Sequence, residues 1–283
     1  MIIGDKYFKN EGKTYVMGIL NVTPDSFSDG GKYNNIDNAL KQTEKMINDG
    51  AHIIDIGAQS TRPGYNLVGP EEELKRMIPV IEQIKKRFDI PLSVDTFHSG
   101  VAKEVLDRGV ELINDIWGLC YEKNEVSMAE VIGKYDASVC IMHNSLKDYS
   151  LKGDRKGCDT YNGIYANIRT EIEKFINIAL KAGINSDKIM LDPGIGFAKD
   201  YDMNMDMIAN AEFIKQFGYP VLLGVSNKSV IGNTLNLPVE DRLEGTLAAT
   251  AYAVMQGYSY VRVHDVKSNV RVINMLEKLM EYR

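Results

Sequence analysis

Short apolar runs punctuate the chain: "TYVMGIL", "HIIDIG", "PLSVD", "ELIND", "ASVCIM", "KIMLD", "PVLLGV" and "YVRV". Most are rich in Val, Ile and Leu without clean alternation of apolar and polar residues, the pattern of strands buried on both faces of a parallel sheet. Between them apolar residues recur at helical spacing. Met77, Ile81, Ile84 and Phe88 form one stripe in "EEELKRMIPVIEQIKKRF", and Ile164, Ile168, Ile172, Phe175 and Ala179 form another. Weaker helical patterns run through "IDNALKQTEKMINDG", "SGVAKEVLDRG", "MAEVIGKY", "DMIANAEFIKQFG", "VEDRLEGTLAATAYAVMQG" and "NVRVINMLEKLMEYR". Gly50, Gly109, Gly183, Gly218 and Gly257 fall at the C-terminal ends of helices, where a left-handed residue is favoured. Strand–helix pairs fill the chain with no linker, repeat or low-complexity tract between them. This alternation, over 283 residues, predicts one domain (1–283) folded as a single eight-stranded (β/α)8 TIM barrel. A short N-terminal β-hairpin is expected in "IIGDKYFKNEGK", ahead of the first barrel strand.

Composition narrows the class. With 44% hydrophobic and 25% charged residues the chain reads as an ordinary soluble globular protein able to bury a sizeable core. A net charge of −6 and a pI near 5.4 argue against a broad nucleic-acid footprint, so any anion site is local. The three cysteines, Cys120, Cys140 and Cys158, lack CxxC spacing and a clustered His partner. That argues against a disulfide framework or a structural zinc, and it suits a reducing cytoplasm. The N-terminus lacks a signal-peptide pattern and no apolar run reaches membrane length, so no membrane partner is expected.

Candidate chemistry gathers where the apolar runs stop. "MGILNVTPDSFSDGG" begins as a strand and passes into a polar loop longer than most connections, as binding loops are. Asn21, Asp55, Asp95, Asn114, His143, Asp192, Ser226 and His264 each come as a strand finishes, and in a barrel those ends converge on one face. Asp95, Asn114, Asp192 and Lys228 together offer acceptors and donors suited to a flat heterocycle with N–H groups on one edge and a carbonyl beside them. Asn21, Arg62, Arg262 and His264 gather cations and an amide that suit a phosphate-type anion. Arg262 and His264 occupy alternate positions of "YVRVHD" and therefore face the same way. "GVSNKS" is not a P-loop, because Asn227 stands where the glycine before the lysine is required.

"NVTPDSFSDGG", "DIGAQSTRPG", "VDT", "NDI", "LDPGIGF", "GVSNKS" and "RVHDV", in that order, resemble the motifs of the dihydropteroate synthase family over nearly the whole chain. The resemblance implies a pterin-binding β/α barrel that condenses 6-hydroxymethyl-7,8-dihydropterin pyrophosphate with p-aminobenzoate in folate biosynthesis. It also implies a magnesium ion on the pyrophosphate, a homodimer and a sulfonamide target. Carried over by motif, the pterin pocket falls on Asp95, Asn114, Asp192 and Lys228, with Met142 and Phe197 as walls and Arg262 covering the ring. Asp95, Lys228, Arg262 and Asp192 are the catalytic candidates. The pyrophosphate falls to Asn21, Arg62, Arg262 and His264, with Asn21 also a magnesium ligand, and p-aminobenzoate falls to Thr61, Pro63, Ser226 and Lys228. Two other readings are a methyltetrahydrofolate-dependent corrinoid methyltransferase and a non-catalytic pterin binder. The chain departs from the family's usual pattern at Asn227, where an Arg commonly stands, at Gln59 in place of a Glu, and in "MHNSLKDYS".

Overall fold

The computed structural model describes residues 1–23, 32–59, 68–144 and 161–282. An antiparallel hairpin, β1 (Ile2–Ile3) and β2 (Lys6–Tyr7), comes first. Eight parallel strands follow: β3 (Tyr15–Asn21), β4 (Ile53–Gly57), β5 (Leu92–Asp95), β6 (Leu112–Asp115), β7 (Ser138–Met142), β8 (Ile189–Asp192), β9 (Leu222–Leu223) and β10 (Tyr260–Val263). They lie in the order β8-β7-β6-β5-β4-β3-β10-β9. A parallel bridge from Leu191 to Val221, with the Leu191 N–H donating to the Pro220 carbonyl at 2.9 Å, joins the two ends and closes the barrel. No helix among the described residues is long and apolar enough to cross a membrane.

Helices α1 (Lys32–Asn48), α2 (Pro70–Arg87), α3 (Ser99–Leu106), α4 (Met128–Lys134) and α5 (Tyr161–Lys181) follow β3 to β7 in turn. The predicted stripes are the buried faces: Met77, Ile81 and Ile84 on α2, and Ile168, Ile172, Phe175 and Ala179 on α5. The five glycines read as helix ends all have positive φ, from +76° at Gly257 to +99° at Gly50. The stretch read as one helix in "DMIANAEFIKQFG" is two, α6 (Tyr201–Ala209) and α7 (Glu212–Lys215), because Asn210 leaves helical geometry at φ −119° and ψ 70°. Asp200 caps α6 by accepting from the Met203 N–H at 2.9 Å, so the helix begins earlier than its apolar pattern indicates. After β9 come α8 (Ser229–Leu235) and α9 (Leu243–Gln256), and α10 (Val266–Met280) follows β10.

Two apolar layers build the core. The larger packs the outward faces of the strands against the helices. The smaller fills the barrel interior with Met17, Ile53, Leu112, Cys140, Met190, Leu222 and Tyr260, and Met1, Ile3 and Phe8 of the hairpin region plug its N-terminal end. That plug leaves only the C-terminal end of the barrel to hold a ligand.

Candidate active site

Side chains two apart on a strand face the same way. Each floor residue therefore predicts what stands one layer above it. Above Ile53 comes Asp55, above Leu112 Asn114, above Cys140 Met142, above Met190 Asp192, above Leu222 Gly224 and above Tyr260 Arg262. An apolar floor thus passes within one strand period into a ring of ionisable and amide groups.

Arg262 organises one half of this ring. Its Nε donates to Asp55 Oδ2 at 2.6 Å and its Nη2 donates to Asp95 Oδ2 at 3.0 Å. Asp55 is fully buried and also accepts from Ser93 Oγ at 2.5 Å and from Asn114 Nδ2 at 3.4 Å. Reading the sequence places Asp55 among the strand-end polar residues but gives it no role. The usable signal is an acid inside the otherwise apolar "HIIDIG", where a charge is tolerated only with partners. Burial pushes the Asp95 carboxyl above its usual range against the opposing pull of Arg262, and the like charges of Asp55, Glu73 and Asp115 add to the rise. Arg262 is raised further above its ordinary value because Asp55 and Asp95 outweigh its desolvation.

Asp192 and Lys228 form the other half. Asp192 Oδ1 accepts from the Gly194 N–H at 2.6 Å, and Lys228 Nζ donates to the Ile195 carbonyl at 2.6 Å while lying 5.1 Å from the Phe197 ring centroid. A Cβ on Gly224 would stand 3.5 Å from Asp192 Oδ2, 3.9 Å from Lys228 Nζ and 4.0 Å from Arg262 Cβ. Glycine there keeps open the space these groups share. Burial lowers Lys228 to about 8, opposed by Asp192, and burial raises Asp192, opposed by Lys228 and the Gly194 N–H. Met142 packs with Phe97, Ile116 and Trp117 in an apolar cluster that Phe197 and Tyr121 flank, giving the pocket its walls.

At the rim, Asn21 and Asp95 flank Gly57, whose absent Cβ would lie 3.7 Å from Asn21 Oδ1. Ser226 Oγ lies 3.0 Å from His264 Nδ1 and accepts from the His264 N–H at 3.2 Å. The fold therefore unites Asp95, Asn114, Asp192, Lys228, Arg262, Met142 and Phe197, and it pairs Ser226 with His264. Arg262, expected in both halves, engages acids of the heterocycle half. Thr61, Arg62, Pro63, Cys158 and the loop at 24–31 lie outside the described residues, as does most of "MHNSLKDYS".

Two of the departures have local explanations. Asn227 adopts φ +58°, a left-handed conformation that Asn tolerates better than most residues. Its carbonyl accepts from Arg242 Nη1 at 3.0 Å and its Oδ1 accepts from Thr246 Oγ1 at 3.3 Å. Gln59 donates through Nε2 to Glu73 Oε1 at 3.1 Å, and Glu73, fully buried, also meets His98 Nδ1 at 2.5 Å. A carboxylate at position 59 would face that buried acid directly. Glu73 carries no distinguishing sequence signal, since it begins a helix among other acids.

The arrangement sets carboxylates, an amide, an ammonium and a guanidinium beside an apolar cluster at the C-terminal end of the barrel. The family of pterin binding enzymes matches residues 17–264. A dihydropteroate synthase of Clostridium beijerinckii is 48% identical over 278 residues, covering 98% of each chain. Among solved structures, a dihydropteroate synthase from Clostridium difficile determined in the presence of pteroic acid is 46% identical, with TM-score 0.88, covering 96% of this chain and 99% of that one. One from Yersinia pestis in complex with a sulfonamide drug is 38% identical, with TM-score 0.89, covering 99% of each.

Proposed function

The chain belongs to the dihydropteroate synthase family of pterin-binding enzymes, and we propose how its own residues carry out the family's condensation. The substrates are 6-hydroxymethyl-7,8-dihydropterin pyrophosphate and p-aminobenzoate, and the products are 7,8-dihydropteroate and pyrophosphate. The observation that carries the assignment of roles is the ring of Asp95, Asn114, Asp192, Lys228 and Arg262, in which Asn114, Asp192 and Arg262 stand one strand period above the apolar floor.

In this reading the pterin lies flat between Met142 and Phe197. Its N–H edge donates to the Asp192 and Asp95 carboxylates, and its ring carbonyl accepts from the Lys228 ammonium, with Asn114 alongside. As the bond from the methylene carbon to the pyrophosphate oxygen breaks, the carbon becomes cationic and the departing oxygens gain negative charge. Fixed carboxylates beside the ring stabilise the first, and Arg62, His264 and the positive end of Arg262 stabilise the second. The p-aminobenzoate nitrogen then forms the new C–N bond and releases a proton to the leaving group or water. A neutral aromatic amine needs no strong base for this step. Thr61, Pro63, Ser226 and the start of α8 next to Lys228 receive the p-aminobenzoate.

Asn21 Oδ1 at the rim is a hard neutral oxygen of the kind magnesium accepts, and that ion usually takes most of its remaining ligands from water and substrate phosphates. Asn21 would hold it, and the bound ion would supply positive charge to the pyrophosphate oxygens. Exposed apolar side chains on and beside α8 to α10, including Leu235, Val239, Tyr252, Met255 and Met275, support a homodimer through this face. The odd cysteine count and the buried thiol of Cys140 support a cytoplasmic location, and the barrel closure supports one domain spanning 1–283.

The test is pyrophosphate release with and without p-aminobenzoate. Release that depends on p-aminobenzoate and yields dihydropteroate is expected. Pterin binding with no release at any p-aminobenzoate concentration would make the chain a binder, and methyl transfer from methyltetrahydrofolate would make it a corrinoid-linked methyltransferase.

A further inference from the structure

Lys199 lies just outside the ring, yet its side chain is buried, with 2% relative exposure for the residue. A lysine is almost never placed so without compensation. Its Nζ donates to the carbonyls of Gly194 at 2.9 Å, Phe197 at 3.0 Å and His143 at 3.4 Å. An ammonium has as many donors as these carbonyls require. Two of them belong to the turn after β8 and the third to His143, which directly follows β7, so one cation ties the turn to the end of the neighbouring strand.

That turn would not hold its shape unaided. Gly194, Gly196 and Ala198 have φ of +69°, +85° and +50°, and Ala198 bears the steric cost of a left-handed conformation that glycine avoids. A Cβ at Gly194 would stand 1.9 Å from the His143 carbonyl oxygen, which shows how closely the turn is pressed against β7. Asn204 braces the outside by accepting from the Gly196 N–H at 2.7 Å and donating to the Lys199 carbonyl at 3.0 Å. Lys199 braces the inside.

The braced turn delivers three groups to the site. The Gly194 N–H meets Asp192 Oδ1, the Ile195 carbonyl receives Lys228 Nζ, and the Phe197 ring lies under the same ammonium. We infer that Lys199 is the positioning residue for pterin recognition: by gathering the Gly194, Phe197 and His143 carbonyls it fixes the turn that orients Asp192 and Lys228. This rests on the assignment of Asp192 and Lys228 to the pterin given above.

The experiment compares wild type with Lys199→Met, which keeps the length and loses every donor. Calorimetry with 6-hydroxymethyl-7,8-dihydropterin measures pterin affinity, and steady-state kinetics at saturating pterin pyrophosphate gives KM for p-aminobenzoate. Pterin affinity should fall about tenfold or more, the scale of lost charge-assisted hydrogen bonds, while KM for p-aminobenzoate changes by less than about twofold. If wild type itself fails to bind the pterin, the site assignment is wrong. Wild-type binding with undiminished affinity in Lys199→Met overturns the positioning role alone, and so does an equal loss for both substrates, which marks a merely structural lysine. If Lys199→Met does not unfold cooperatively, the same comparison on Lys199→Gln decides. Its two N–H donors are fewer than the carbonyls to be met, so about a threefold loss for the pterin is expected, and no loss overturns the inference.

Discussion

Replacing Asp55 by Asn isolates the charge that holds Arg262 in the ring. Three donors converge on this carboxylate: Arg262 at 2.6 Å, Ser93 at 2.5 Å and Asn114 at 3.4 Å. An Asn of the same shape can keep its oxygen toward Arg262 and Asn114 and turn its amide toward Ser93, whose hydroxyl rotates from donor to acceptor. The hydrogen-bond count survives, so the loss is the charge. Removing one partner of a buried ion pair costs about 3 to 5 kcal/mol when the other is left alone. Here Asp95 remains 3.0 Å from Arg262 and the Arg262 side chain is 20% exposed, so both attraction and water soften the loss. About 2 to 3 kcal/mol is expected, since hydrogen bonds to charged groups exceed neutral ones by roughly 1 to 1.5 kcal/mol each. For a domain of this size that is roughly 4 to 10 °C in Tm. Urea unfolding monitored by circular dichroism reads it directly, with the midpoint falling at constant m-value. Asp55→Leu, which strands all three donors, should fall further. An unchanged or raised midpoint in Asp55→Asn would refute the argument that this carboxylate anchors Arg262.

Asp192→Asn should nearly abolish pterin binding by calorimetry, because an amide donor then faces a substrate donor at a cost of about 1 to 3 kcal/mol or more. Lys228, lowered to about 8, gives two pH effects of opposite sign. Pterin affinity should fall as pH rises through 8 because the ammonium is lost, with Lys228→Met removing this limb. The contribution of Lys228 to stability should instead rise between 8 and its unfolded value, since the unfolded chain binds the proton more tightly there. Arg62→Ala and His264→Ala should weaken the pyrophosphate substrate far more than the free hydroxymethyl pterin, and magnesium chelation should do the same; equal losses for both ligands would contradict the anion assignment. Asn227→Arg should lower KM for p-aminobenzoate only a few-fold with similar turnover, an exposed pair being worth about 0.2 to 1 kcal/mol, and should lower Tm because the residue must occupy φ +58°.

Much of the fold was legible because the signals were local. Unalternating apolar strands, helical stripes and glycines at helix ends are each written within a few residues of the feature they specify. The grouping of polar residues at the strand ends was legible for a related reason: Asn114, Asp192 and Arg262 follow apolar floor residues by two positions, and strand geometry does the rest. Asp55 and Glu73 were harder to read because their roles depend on partners far away in sequence. Asp55 meets Arg262 across 207 positions, and nothing in "HIIDIG" names that partner. The break at Asn210 was missed because one apolar pattern runs across both helices. Lys199 follows the motif "LDPGIGF" and reads as a surface cation until the turn it closes is seen in three dimensions.

The strain in the ring is informative about what the ring is for. Asp55, Asp95 and Asp192 stand against Lys228 and Arg262, so with every group ionised the ring itself holds one more carboxylate than cations. Burial already pushes Asp95 and Asp192 up and Lys228 down, so each of these groups is held where its charged form is disfavoured. A site evolved for stability alone would replace such charges by apolar residues of similar size. In the proposed reading the balance changes when a pterin binds, its N–H edge supplying donors to the acids and its carbonyl an acceptor to the ammonium. The positive charge that develops on the methylene carbon faces those carboxylates in the same reading. In that reading the charge that develops in the transition state meets carboxylates already fixed in place, which is the condition under which fixed charges lower a barrier rather than merely bind a substrate.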